Sequence, residues 1–174
     1  TEFTFDDAGL LQNLDGAMRG GLGFEYDGRG FLAQARLSRS GDSVITTTYD
    51  SQGRLFAKNE RGLRQNVLYF AGRPVAQWSK LGSTPPSLTF LVADHLGTPA
   101  MALNADASVR WSGGFDPFGM DWQRGTRQSA LGSGIFLRLP GQWDDSYFSQ
   151  IPDNLTNPPI ASSERIEPIV YYNV

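Results

Sequence analysis

Cysteine does not occur in the 174 residues, and His95 is the only histidine. Without cysteine there is no disulfide, no thiolate nucleophile and no cysteine-ligated zinc, and the redox compartment stays open. A single histidine leaves any catalytic triad or metal site to be completed by other residue types. An excess of one charge is lacking too: the formal net charge is −3 and the two signs are interspersed. There is no basic stripe of the kind that binds a phosphate backbone, so nucleic acid is not an expected partner. No apolar run approaches the roughly 20 residues of a helical membrane span. The N-terminal Thr1-Glu-Phe-Thr-Phe5-Asp-Asp-Ala-Gly9 has no basic region followed by an apolar stretch, so no signal peptide is expected within this stretch of chain. Sustained helical periodicity with caps is missing as well, Leu10 to Met18 being the best candidate.

Aromatics and turn formers are plentiful instead. Hydrophobic residues make up 40% and aromatics 12% of the chain, which allows a core built by burial. The 20 glycines and 10 prolines lie scattered between short apolar runs, the texture of a turn-rich β protein.

Three segments repeat one another: Phe3-Thr-Phe5-Asp6-Asp-Ala-Gly9-Leu-Leu11, Phe24-Glu-Tyr26-Asp27-Gly-Arg-Gly30-Phe-Leu32 and Thr47-Thr-Tyr49-Asp50-Ser-Gln-Gly53-Arg54-Leu55. Each reads as a strand ending in an aromatic, then an Asp-x-x-Gly turn, then a returning strand opened by leucine. Asp bonds its side chain to backbone N–H groups two residues on, and Gly supplies the positive φ that closes the turn. The aromatic and the leucine are expected on one face. A lone hairpin is marginal in water, so such units must stack.

Val67 to Trp78 reads as a degenerate fourth hairpin around Gly72, and Ser79 to Ser87 as an exposed loop with Pro85 and Pro86. Leu88 to Ala93 is a strongly β-prone strand. Met101 to Leu103 and Ser108 to Trp111 flank Asn104-Ala-Asp106-Ala and suggest a further hairpin. Gly20-Gly-Leu-Gly23 lacks the context of a phosphate loop and reads as a loop between repeats. Residues 145 to 168, with several prolines, read as irregular, before Ile169 to Tyr172. The expected fold is all-β: stacked antiparallel hairpins forming a curved or spiralling sheet, with an irregular tail that ends in a short strand. The expected divisions are repeats over 1–78, a second β region over 79–144 and the tail over 145–174.

The Tyr-Asp-x-x-Gly-Arg-Leu unit resembles the repeats of the Rhs/YD-repeat family, carried here by Tyr26, Asp27, Gly30, Tyr49, Asp50, Gly53, Arg54 and Leu55. Asp94-His95-Leu-Gly97-Thr-Pro99, followed by Asp116-Pro117-Phe-Gly119, resembles the opening of the family's Rhs-associated core. Pro140, Gly141 and Gln142, in Leu137-Arg-Leu-Pro-Gly-Gln-Trp-Asp144, resemble its next block, and Tyr171-Tyr172-Asn173 the one after. The family includes bacterial Rhs toxins, the C-component of insecticidal toxin complexes, and teneurins.

The resemblance implies a structural segment of a secreted or cell-surface β-shell that encloses a toxin polypeptide. The implied partners are the rest of the parent chain and that cargo, with no cofactor and no catalytic residue of the segment's own. Family members continue into an Asp-Pro-x-Gly group near which many bacterial ones cleave themselves. This sequence ends at Val174, so self-cleavage is not expected, and the Asp116-Pro117 stretch belongs to the earlier block.

Other readings of single residues compete with structural ones. His95, between a strand and a turn, reads as a structural imidazole. Asp116 with Asp144 and Asp145 would make an acid–base couple, against the commoner role of turn aspartates. Asp6, Asp27 and Asp50 offer one carboxylate per repeat, against the six to eight oxygens of calcium. Trp78, Trp111, Trp122 and Trp143 are the candidates for stacking on a carbohydrate, against a place in the core. Open strand edges predict self-association.

Overall fold

A computed structural model describes residues 2–15, 21–37, 44–123, 128–144 and 170–172. The first strands are β1 (Glu2–Phe5), β2 (Leu11–Asp15), β3 (Leu22–Tyr26), β4 (Leu32–Leu37), β5 (Val44–Tyr49), β6 (Leu55–Glu60) and β7 (Leu63–Phe70). There follow β8 (Arg73–Leu81), β9 (Ser87–Ala93), β10 (Pro99–Leu103), β11 (Val109–Ser112), β12 (Gln142–Asp144) and β13 (Val170–Tyr172). Strands β1 to β11 form one open 11-stranded sheet in chain order, and β12 pairs with β13. The protein is therefore all-β: among the described residues there is no α-helix, and the only helical turn is a 3₁₀ turn at Leu131–Ser133. No helix of the described residues is long and apolar enough to cross a membrane.

Every strand of the large sheet follows its neighbour through a short connection, as alternating strands and turn residues dictate. The aromatic and leucine of each repeat sit directly opposite one another, Phe5 against Leu11, Tyr26 against Leu32 and Tyr49 against Leu55. Directly opposed residues share a face, as the sequence requires. Beside each of these pairs the register shifts, leaving one extra residue, Gln12, Ala33 or Phe56, on the returning strand.

Several boundaries differ from expectation. Strand β8 runs through Trp78 to Leu81 and β9 opens at Ser87, so the exposed loop shrinks to the residues between them. Leu22 and Gly23 belong to β3, with Leu22 buried, because pairing to Leu37 and Arg36 on β4 draws them into the sheet. Leu11 to Asp15, inside the best helix candidate, is strand β2. Two-residue turns at Arg61-Gly62 and Ala71-Gly72, with positive φ at both positions, join β6 to β7 and β7 to β8. They are type I′ turns, whose twist matches that of the strands. The expected irregular stretch 145–168 lies outside the described residues.

Two compact units divide the chain. One comprises residues 1–67 and 78–87, and the other 68–77 and 88–172, apart from single residues at the C-terminus. In the first, Ile45, Tyr49, Leu55 and Val67 are buried together with the polar Thr47, Lys58, Glu60 and Gln65. Lys58 lies opposite Thr47 and Gln65 and donates to Glu60 at 3.0 Å, so its charge is carried into the interior with a partner. In the second, Leu91, Ala102, Trp111, Ile135, Phe136, Leu137 and Trp143 make the core.

Candidate functional site

The Asp-x-x-Gly turn is the recurring polar constellation, and five copies close with the same hydrogen bonds. In the turn at Asp50, the Asp50 N–H donates to the Arg54 carbonyl at 3.0 Å and the Gly53 N–H to the Asp50 carbonyl at 3.1 Å. One Asp50 carboxylate oxygen accepts from the N–H groups of Gln52 and Arg54, at 2.8 and 3.0 Å. Asp6, Asp27, Asp94 and Asp116 repeat all four bonds. The turn at Asn104 keeps the backbone pair, with Ala107 at φ 64 in place of glycine and the Asp106 carboxylate accepting from the Ser108 N–H.

The blocks around Asp94 and Asp116, read in the sequence as separate motifs, are thus two further copies of the repeat's turn. Their Asp-x-x-Gly spelling carried the signal, without a Tyr before the Asp. His95 is the second residue of its turn, exposed, with its carbonyl accepting from Arg73 at 3.4 Å.

At Asp27, Asp50, Asp94 and Asp106 the acidity of the carboxyl records these bonds. Partial desolvation acts to raise Asp27. The N–H groups of Phe31 and Arg29 and the Arg29 guanidinium outweigh it and hold the carboxyl below its ordinary value. At Asp50, desolvation is likewise outweighed, here by the Arg54 side chain, which also pairs with it at 2.6 Å, and by two backbone donors. Desolvation of Asp94 is overcome by the N–H groups of Thr98, Leu96 and Gly97 and by His95, and its carboxyl is lowered. At Asp106 the Ser108 hydroxyl is the main cause of a lowered value. Tyr26 moves the other way, raised by burial and by the charge of Asp6, while its hydroxyl donates to the Leu11 carbonyl at 2.8 Å.

Successive turns interlock. The residue after one turn glycine covers the next glycine: a Cβ on Gly30 would lie 3.8 Å from Leu10, and one on Gly53 would lie 2.6 Å from the Phe31 ring. Gly97 meets Pro74, two places after the turn glycine Gly72, at 3.7 Å, while Gly9 has nothing within 4 Å. Phe31 also stacks on Tyr49, ring centroids 5.1 Å apart, and Arg29 reaches across to the Asp50 carbonyl at 2.7 Å.

A second cluster joins motif residues that the sequence leaves far apart. Leu139-Pro140-Gly141-Gln142 closes a turn with Gly141 at φ 80, and Leu137 bridges to Trp143. The Gln142 side chain lies on Gly119, where a Cβ would be 1.9 Å from its Oε1, so a larger residue would push that side chain aside as well as strain a backbone at φ 85. Buried Arg138 donates to the Gly119 carbonyl and lies over the Phe115 ring. Asp121, also buried, accepts from the N–H groups of Gln123 and Ala130 at 2.7 and 2.5 Å. Sequence reading missed Arg138 and Asp121, because a charged residue in a motif block carries no local mark of burial.

The remaining candidates separate. Trp111 and Trp143 are 3% and 0% exposed, so neither offers a ring face to a sugar; both belong to the core. Trp78 is half-buried, and Trp122, 72% exposed, is the one open indole among the described residues. The Asp116 carboxylate is occupied by the Phe118 and Met120 N–H groups, and Asp145 lies outside the described residues. Among the described residues no group of three or more His, Asp or Glu side chains is placed to hold a metal.

The class these features define is an open antiparallel sheet of stacked hairpins with a recurring Asp-x-x-Gly turn. No protein-family model and no curated protein sequence matches the chain.

Proposed function

We propose that this chain is a wall segment of a secreted YD-repeat shell whose sheet shields an apolar, unfolded polypeptide cargo. The observation that carries this is an exposed apolar face on β9 to β11. Phe90, Leu103 and Val109 lie directly across from one another, as do Val92 and Met101. Phe90, Val92 and Val109 are 43%, 47% and 59% exposed, while Leu91, Ala102 and Trp111 on the opposite face are buried. Leu68, Phe70 and Val75 in the same compact unit are exposed as well. Contiguous apolar surface of this sort marks an interaction site, and one built on a row of paired strands suits an extended chain rather than a small ligand.

The test is fluorescence anisotropy of a labelled, carboxymethylated and permanently unfolded polypeptide titrated with the protein. Binding is expected, with Phe90→Thr plus Val92→Thr weakening it at least tenfold at unchanged fold. Equal affinity for a natively folded control polypeptide would sink the reading.

A second reading, carbohydrate binding at the surface, is favoured by Trp122. Its ring lies against Gly114, where a Cβ would come within 2.7 Å, and its outer surface is open. In this reading a soluble oligosaccharide quenches indole fluorescence in the wild type and not in Trp122→Ala.

A further inference from the structure

The first compact unit holds a cavity of about 330 Å³ lined by Asn59, Gly62, Arg64, Lys80 and Gly82. Two of its lining residues are joined through the backbone, the Gly82 N–H donating to the Gly62 carbonyl at 3.2 Å. An adjoining hollow of about 170 Å³ shares Asn59 and Arg64 and is edged by Thr46, Thr48 and Asn66. Register places these on one face: Thr46, Asn59 and Arg64 stand directly across from one another, and so do Thr48, Ala57 and Asn66.

Two features point to an anion. No Asp or Glu lines either hollow, in a chain whose acidic residues outnumber its basic ones. Among the described residues, Arg29, Arg36, Arg54 and Lys58 pair with carboxylates and Arg73 and Arg110 donate to backbone carbonyls, whereas no ion pair involves Arg64 or Lys80. A cation left without an acid at the rim of a concave site is available to a ligand's oxyanion, where charge-assisted bonds are the strong ones. The hydroxyls and amides running away from the cations would meet hydroxyl groups. A volume near the lower end of small-molecule sites excludes a large ligand.

We propose that this cavity binds a small hydroxylated organic anion, its carboxylate or phosphate held between Arg64 and Lys80 and its hydroxyls laid along Asn59, Thr46, Thr48 and Asn66. The site is independent of the apolar face on β9 to β11, so either can fail without the other.

Calorimetric titration of the whole chain at low salt with glucose 6-phosphate and with glucuronate tests it, with glucose and inorganic phosphate as controls. Saturable binding of either organic anion is expected, and the tighter one identifies phosphate or carboxylate as the recognised group. Arg64→Gln and Lys80→Gln are each expected to weaken binding about tenfold, as the loss of one charge-assisted contact does. Both side chains reach solvent, so thermal melts should show these variants folded. The proposal is overturned by no binding of either organic anion, by variants that bind as wild type, by glucose binding equally well, or by inorganic phosphate binding as tightly as the organic anions.

Discussion

The first hairpin, β1–β2, and the third, β5–β6, share one turn and differ in almost everything around it. Both close with the same four hydrogen bonds to an aspartate and a glycine. Phe3 and Phe5 of the first are 55% and 59% exposed, yet Thr47, Tyr49 and Leu55 of the third are 9%, 8% and 3% exposed. The turn is written locally and forms wherever its residues occur. The core belongs to the stack, and the strand at the end of the sheet has a neighbour on only one side.

Truncation should break this comparison most visibly. Leu55→Ala is expected to destabilise by about 2–5 kcal/mol, the range for an aliphatic side chain lost from a packed core. Phe5→Ala, half in water already, should cost under about 1 kcal/mol on the same burial argument. Urea denaturation of both variants measures the gap, and equal costs would contradict a core made by stacking.

The turn glycines give a finer cut. Alanine at Gly9 must adopt a left-handed backbone, costing about 1–2 kcal/mol. At Gly53 it must also displace the Phe31 ring, adding about 1–3 kcal/mol as overpacking does. A double-mutant cycle between Gly53→Ala and Phe31→Ala should recover that second part, and additivity of the two changes would show that the ring contact carries no energy.

Acid should produce the smallest effect. The folded-state values of Asp27, Asp50, Asp94 and Asp106 lie below the ordinary 3.8. Their contribution is therefore fully present above that pH and is lost as pH falls below it through the depressed folded values. Stability measured between pH 5 and pH 2 should decline at the acid end, and Asp50→Asn should flatten the decline. Since the Asp27 and Asp50 ion pairs are partly open to solvent, an unchanged slope at high salt would exclude them as its main source.

How much of this was legible in the sequence follows from the range of the forces. Asp-x-x-Gly could be read from residue type because its bonds close within five positions, and the same locality made the hairpins and the all-β class readable. The Asp94 and Asp116 turns were hidden by the lack of the leucine two places after the glycine, where Pro99 and Asp121 stand. Which of the four tryptophans is buried, and the burial of Arg138, could not be read, since both depend on which segments of chain return to cover them. The same holds for Gly119, on which the side chain of Gln142, 23 positions along the chain, comes to lie.

Leu10 over Gly30 and Phe31 over Gly53 give the stack a direction. At these two junctions a hairpin presents a cover on one flank and a bare glycine on the other, so like meets unlike and two identical flanks do not match. An array assembled on that rule can gain or lose a whole hairpin without creating a new kind of joint. Duplication and deletion in whole units become mild changes, whereas a shift of a single residue between turn and cover disturbs the joints on both flanks.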